Sequence, residues 1–379
     1  MKRQLKFYAI LCSLALLTSC AENTNSHNDD GVSSGITDNS TDEDFIDLSE
    51  LCGNEDKYIS DIYLQTYDNL IFSENIDPEI PEKIGIYKVT ERDDLDSYKD
   101  KIFDKYIPES VFDDSKVSYN DEEIYGKYYG CNFIDDETGA IITISNNGFI
   151  NHINNNAQPL YEQRTNLYKT VYIGKKYDDE VLELINGTAK ASELIETAKK
   201  ELAGYSEVSD SELSFSPRWL NIYTDPESGK QYCIIEFSED YKDIMLTPTC
   251  DGTTTIDVEK QYTTGASVMY TSPESSDGFV IQADLVTDKT VSEQDKILSP
   301  AAAAQIAGNT LSGYKKYTVT DVALTYLPIT DMSLDSEETL TMTLTPYWDF
   351  VIADESADNG HAEKAVYVNC FTGEVETIL

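Results

Sequence analysis

Histidine is nearly missing from this chain: three in 379 residues, at His27, His152 and His361. A Ser-His-Asp or Cys-His arrangement would have to draw on His152 or His361, and no G-x-S-x-G elbow accompanies either. Zinc spacing is missing as well, with no C-x2-C and no H-E-x-x-H. No G-x-x-x-x-G-K-S/T or G-x-G-x-x-G run offers a phosphate cradle. Cations are scarce, 28 Lys and Arg against 70 Asp and Glu, for a formal net charge of −42. Such a surface repels nucleic-acid phosphates, which excludes a nucleic-acid partner. Long apolar runs are absent apart from Phe7 to Leu17, about eleven residues where a bilayer-spanning helix needs about 20.

The abundant carboxylates select nothing by themselves. A glycosidase needs a pair held ~5–5.5 Å or ~6.5–9.5 Å apart, and no spacing in the sequence marks one. Asp29-Asp30 and Asp42-Glu43-Asp44 do not follow the calcium loop D-x-D-x-D-G. The reading is therefore of a protein that is not an enzyme, with no catalytic residue, no metal ligand and no cofactor assigned.

What is present begins at the start of the chain. Lys2, Arg3 and Lys6 precede the apolar run, and Leu17, Thr18 and Ser19 lead into Cys20. This is the pattern of a bacterial export signal, residues 1–19, ending in a lipobox. The Cys20 thiol takes the lipid that holds the mature chain on the outer face of the cytoplasmic membrane, on the extracellular side. Cleavage removes three cations and takes the formal charge from −42 to −45. Cys12 leaves with the signal, so Cys52, Cys131, Cys233, Cys250 and Cys370 remain, an odd number that cannot all pair. Cys131, Cys233 and Cys370 fall in strand-like runs and read as small buried apolar residues. A Cys233–Cys250 disulfide is the alternative.

Residues 20–57 are acidic and polar and read as a flexible tether, since they cannot bury enough apolar surface to offset their ordering entropy. Beyond it, Ile84–Val89 reads as a strand. Leu95, Tyr98, Ile102, Phe103 and Tyr106 share a helical face, capped by Asp93 or Asp94 and stopped by Pro108. Tyr125–Ile134, Ala140–Ser145 and Phe149–Ile153 read as antiparallel strands, with Asn147-Gly148 as a hairpin turn. Ala191, Leu194, Ile195, Ala198 and Leu202 mark a second helix, with Gly204 as its stop. Strands follow at Leu213–Tyr223 and Gln231–Phe237. Ser299-Pro300 opens a third helix. Then come Tyr317–Tyr326, Thr339–Ile352, Ala365–Cys370 and Glu374–Leu379. The 26 tyrosines read as half-buried strand residues whose hydroxyls stay wet.

One turn recurs. Asp135 to Gly139, Asp225 to Gly229 and Cys370 to Gly373 each place a hydroxyl residue and a glycine between strand-like runs downstream of a helix. The unequal spacing implies an insertion around Asp251–Glu293.

With the alanine-rich helix after Ser299, the run Pro346-Tyr347-Trp348-Asp349-Phe350 and the closing Tyr367-Val368-Asn369-Cys370-Phe371-Thr372-Gly373-Glu374-Val375, residues 299–379 resemble a PepSY-type module. Cys370 departs from the alanine or aspartate more usual there. A lipobox followed by such modules is similar to uncharacterised lipoproteins of Gram-positive bacteria. It is distantly similar to extracytoplasmic proteins that restrain a cell-wall-sensing histidine kinase. The resemblance implies no catalytic residues. It implies an α+β fold of two or three small modules, each a helix packed on an antiparallel sheet, after the disordered tether. The expected boundaries are 58–186, 187–294 (carrying the insertion) and 295–379. The expected role is binding or regulation of an extracytoplasmic protein or peptide, with Tyr347 and Trp348 as a candidate binding surface. The alternatives are a carboxylate-dependent cell-wall glycan hydrolase and a ligand-binding receptor feeding a transporter.

Overall fold

The computed structural model describes residues 44–378, apart from 53, 66, 68, 74–75, 77, 79, 93, 121–129, 136–138, 146–147, 155–156, 165, 174–178, 248–261, 312–315, 331–339 and 353–363. The stretch expected as an export signal, with Leu17, Thr18, Ser19 and Cys20, lies outside the described residues, as do Tyr125–Tyr129, Cys250 and His361.

Local chemistry acts where the residues predict it. The helix Leu95–Tyr106 buries Tyr98, Ile102 and Phe103. It ends ahead of Pro108, with Ile107 already extended (φ −110°, ψ 119°), as a residue before proline must be. Ser299 caps the helix Pro300–Thr310 by accepting from the Ala302 amide. The helix Ala191–Ser209 runs past Gly204 and closes instead on Asp210, whose left-handed φ of 54° lets its amide reach the Ser206 carbonyl. Gly204 faces the Lys105 side chain of the neighbouring helix, so its small size serves helix contact and not termination.

The recurrent turn is one geometry used three times. The amides of Gly139, Gly229 and Gly373 donate to the carbonyls four residues back, Asp135, Asp225 and Asn369, at 2.8, 2.9 and 2.9 Å. All three glycines have positive φ, 77°, 69° and 72°, where a Cβ would be strained.

The fold class differs from the sequence expectation. The chain does not form small helix-on-sheet modules; strands dominate, and large sheets run through distant parts of the sequence. Among the described residues there are 22 strands and six α-helices. The long hairpin Leu213–Thr224 with Gln231–Tyr241 is the spine. From it one arm passes through Ala266–Tyr270, Gly278–Ile281, Ile150–Ile153, Ala140–Ser145 and Gly130–Asp135 to Val117–Asn120. A second arm passes through Ile244–Leu246, Tyr317–Tyr326, Pro346–Ile352 and Lys364–Asn369 to Val375–Ile378. A separate three-stranded sheet sets Ile84–Glu91 between Leu285–Gln294 and Thr341–Leu344. The stretch expected as an insertion therefore supplies strands to both sheets.

Order also starts earlier than the expected tether end. Phe45–Asp47 pairs with Lys296–Leu298, and helices follow at Leu48–Cys52 and Glu55–Leu64. Two large cores result. One joins Tyr67, Leu70 and Val89 to Leu298, Ala304, Trp348 and Phe350. The other joins Tyr98, Phe133, Ile144, Leu202, Ile222, Ile235 and Phe279. The spine hairpin belongs to both, with Leu213 and Tyr241 in the first and Ile222, Cys233 and Phe237 in the second.

Candidate functional site

The end of Ile84–Glu91 pairs with the start of Leu285–Gln294, and the residues just beyond that ladder, Arg92 and Asp284, touch. The Arg92 amide donates to the Asp284 carbonyl at 3.0 Å. Arg92 Nη1 donates to Asp284 Oδ2 at 2.8 Å, with the two side chains only 6% and 1% exposed. Arg92 also binds Asp94 through Nε and through Nη2, the latter at 3.2 Å. Its guanidinium lies 4.1 Å from the centroid of the Tyr98 ring, a cation–π contact in a dry setting. Tyr98 in turn donates to the Ser145 carbonyl at 2.5 Å.

Asp284 is the hub of this seam. Its Oδ1 accepts from Ser211 Oγ at 2.7 Å, and its Oδ2 accepts from Tyr205 at 3.4 Å as well as from Arg92. The hairpin turn at Gly148 leans directly on it: a Cβ there would sit 2.3 Å from Asp284 Cβ, and φ is +83°. Only glycine fits both demands. Nearby, Tyr262 donates to Glu91 Oε1 at 2.7 Å, and Glu239 lies fully buried.

Burial works against charge at each of these groups, and partners decide the outcome. Burial opposes the Arg92 charge, but Asp94 and Asp284 override it and hold the guanidinium above its ordinary value. Burial lifts the Asp284 carboxyl above the usual range against the pull of Ser211 and Arg92. Glu239, without such a partner, is driven well above it by burial, with Asp284 and Asp240 adding to the push.

The residues singled out in the sequence fall elsewhere. Trp348 offers no surface: it is fully buried, and its Nε1 donates to the Leu298 carbonyl at 2.8 Å. Tyr347, on the opposite face of that strand, is half-buried against a small cluster of Leu327, Ala365 and Tyr367, and burial pushes its hydroxyl up to about 12. His152 is enclosed by the Tyr106 and Phe279 rings, each 5.5 Å away, and its Nδ1 lies 3.1 Å from the Ile141 carbonyl. Burial lowers its pKa. Cys233 and Cys370 are buried thiols, not bridged, and burial raises both. No group of three or more His, Cys, Asp or Glu among the described residues could hold a metal ion.

The sequence reading missed Arg92, Asp284 and Glu239. Asp94 was noticed as a helix cap. It occupies that position without a side-chain capping bond, because its carboxylate is turned to Arg92 and accepts from Ser97 Oγ. The turn at Gly148 was legible, but not what it presses on; Asn147 lies outside the described residues.

No protein-family profile matches the chain, and no curated protein matches it. Among solved structures it is similar to an uncharacterized protein from Eubacterium rectale ATCC 33656. The identity is 13% and the TM-score 0.50, over 82% of this chain and 91% of that one. At that identity the likeness concerns the fold alone.

Proposed function

We propose that this chain is a lipid-anchored extracytoplasmic protein that binds or regulates another protein or peptide and carries out no chemistry of its own. The lipobox Leu17-Thr18-Ser19-Cys20 supports the address. The observation that carries the rest is the state of the seam. Arg92, Asp94 and Asp284 serve one another and the fold, and Asp284, the best-connected of them, is 1% exposed. Groups so committed organise a scaffold; a substrate would have to displace them first. The extended sheets then supply the body that meets a partner.

Growth with a clickable fatty acid tests the anchor. The full chain is expected to take the label and fractionate with membranes, and Cys20→Ala to lose both; an unlabelled wild-type chain sinks the address. Crosslinking on intact cells is expected to join the chain to a defined second protein. Turnover of purified wall fragments, lost on changing one acidic residue, would instead make it an enzyme.

A further inference from the structure

We propose that Glu201, Asp277 and the Tyr270 hydroxyl form a binding site for a primary ammonium group. The site goes beyond the partner-binding role proposed above and does not depend on it.

Three elements bring these groups together. Glu201 lies on the helix Ala191–Ser209. Tyr270 ends the strand Ala266–Tyr270, and Asp277 stands just before Gly278–Ile281, the strand that returns beside it. The hairpin loop, residues 271–277, reaches the helix through Ser276, whose Oγ donates to Glu201 Oε1 at 2.8 Å. The Asp277 amide donates to the Met269 carbonyl at 2.8 Å, and its carboxylate accepts from the Thr271 amide through Oδ2. The loop is also pinned from outside, with the Asn186 amide on the Thr271 carbonyl at 2.9 Å. The acceptors are thus held in place before a ligand arrives, which lowers the cost of ordering them on binding.

The fold uses only part of what these groups offer. Tyr270 is 1% exposed, yet its hydroxyl has no hydrogen-bond partner among the described residues. Buried hydroxyls are rarely left so. Burial above all raises its pKa, and Glu201, Cys233 and Asp277 add to the push, which sets the hydroxyl beside both carboxylates. Glu201 Oε2 and Asp277 Oδ1 accept from no group among the described residues. Neither acid has a cationic partner there. Both are half-buried.

Two half-buried carboxylates without a counter-charge call for a cation, and the formal charge of −42 draws cations in from a distance. Calcium takes roughly six to eight oxygen ligands, but no group of three or more metal-ligating side chains is present among the described residues. An ammonium group carries three N–H donors and no acceptor. The donors match the three acceptors, one for each carboxylate and one for the hydroxyl.

Calorimetric titration of the full chain with n-butylammonium chloride, at ionic strength held constant with sodium chloride, tests the site. One saturable amine per chain is expected. Glu201→Gln keeps an acceptor for Ser276 and discards the charge, so binding should weaken by about tenfold or more. Tyr270→Phe removes only the hydroxyl, and affinity should fall by about tenfold. Because that hydroxyl has no partner in the free chain, the Tm of Tyr270→Phe should not drop. Absence of a saturable site, or variants that bind as the wild type does, overturns the proposal. A site that takes magnesium ions in preference to the amine also overturns it.

Discussion

Arg92 stands between two carboxylates and a tyrosine ring, and its removal leaves Asp284 buried without a counter-charge. Arg92→Met keeps the bulk and discards the charge, so the expected loss is about 3–5 kcal/mol, the usual cost of breaking one side of a buried pair. Urea unfolding measures it, and adding Asp284→Asn should recover part of the loss because the stranded charge then goes too. Independent, additive effects of the two changes would show that the pair is not coupled. The tyrosines make a related point. Their number suggested wet hydroxyls, yet Tyr98 and Tyr326 are fully buried and donate to the carbonyls of Ser145 and Gly85. A backbone acceptor inside the fold replaces water, and nothing in the local sequence announces which carbonyl that will be.

Among the elements, the helix Pro300–Thr310 shows how far local chemistry reaches. Ser299→Ala removes the acceptor that serves the Ala302 amide. The expected cost is about 1 kcal/mol, read as a lowered Tm in a thermal scan; an unchanged Tm would mean that the cap contributes nothing. The same reasoning placed Asp94 at a cap position, which it occupies, but not its bond: the carboxylate is turned to Arg92, two residues back, and caps no amide. The strict alternation near Thr341–Leu344 was legible, and Met342 and Leu344 are indeed buried while Thr343 is exposed. That it pairs with Ile84–Glu91, itself legible as a strand over Ile84–Val89, was not, since alternation names the buried face and is silent about the neighbour.

For the molecule as a whole, the shared spine hairpin couples the two cores. Calorimetry is expected to show one cooperative transition. Ile222→Ala in one core and Val89→Ala in the other should each move that single transition, by roughly 2–5 kcal/mol for the larger deletion. Two separable transitions would show that the cores fold independently.

Short-range physics was written in the chain itself: the Ser299-Pro300 start, the Pro108 stop, the left-handed glycines of the recurrent turn, and the alternation of the strands. Each depends on residues within one turn or one strand. The branching sheet, the two cores and the seam depend on meetings such as Arg92 with Asp284, 192 positions apart. With 70 acids to choose from, no pattern marks the one that will be buried beside an arginine. Tertiary packing alone made that selection, because desolvation and pairing act on groups brought together only after the chain has returned on itself.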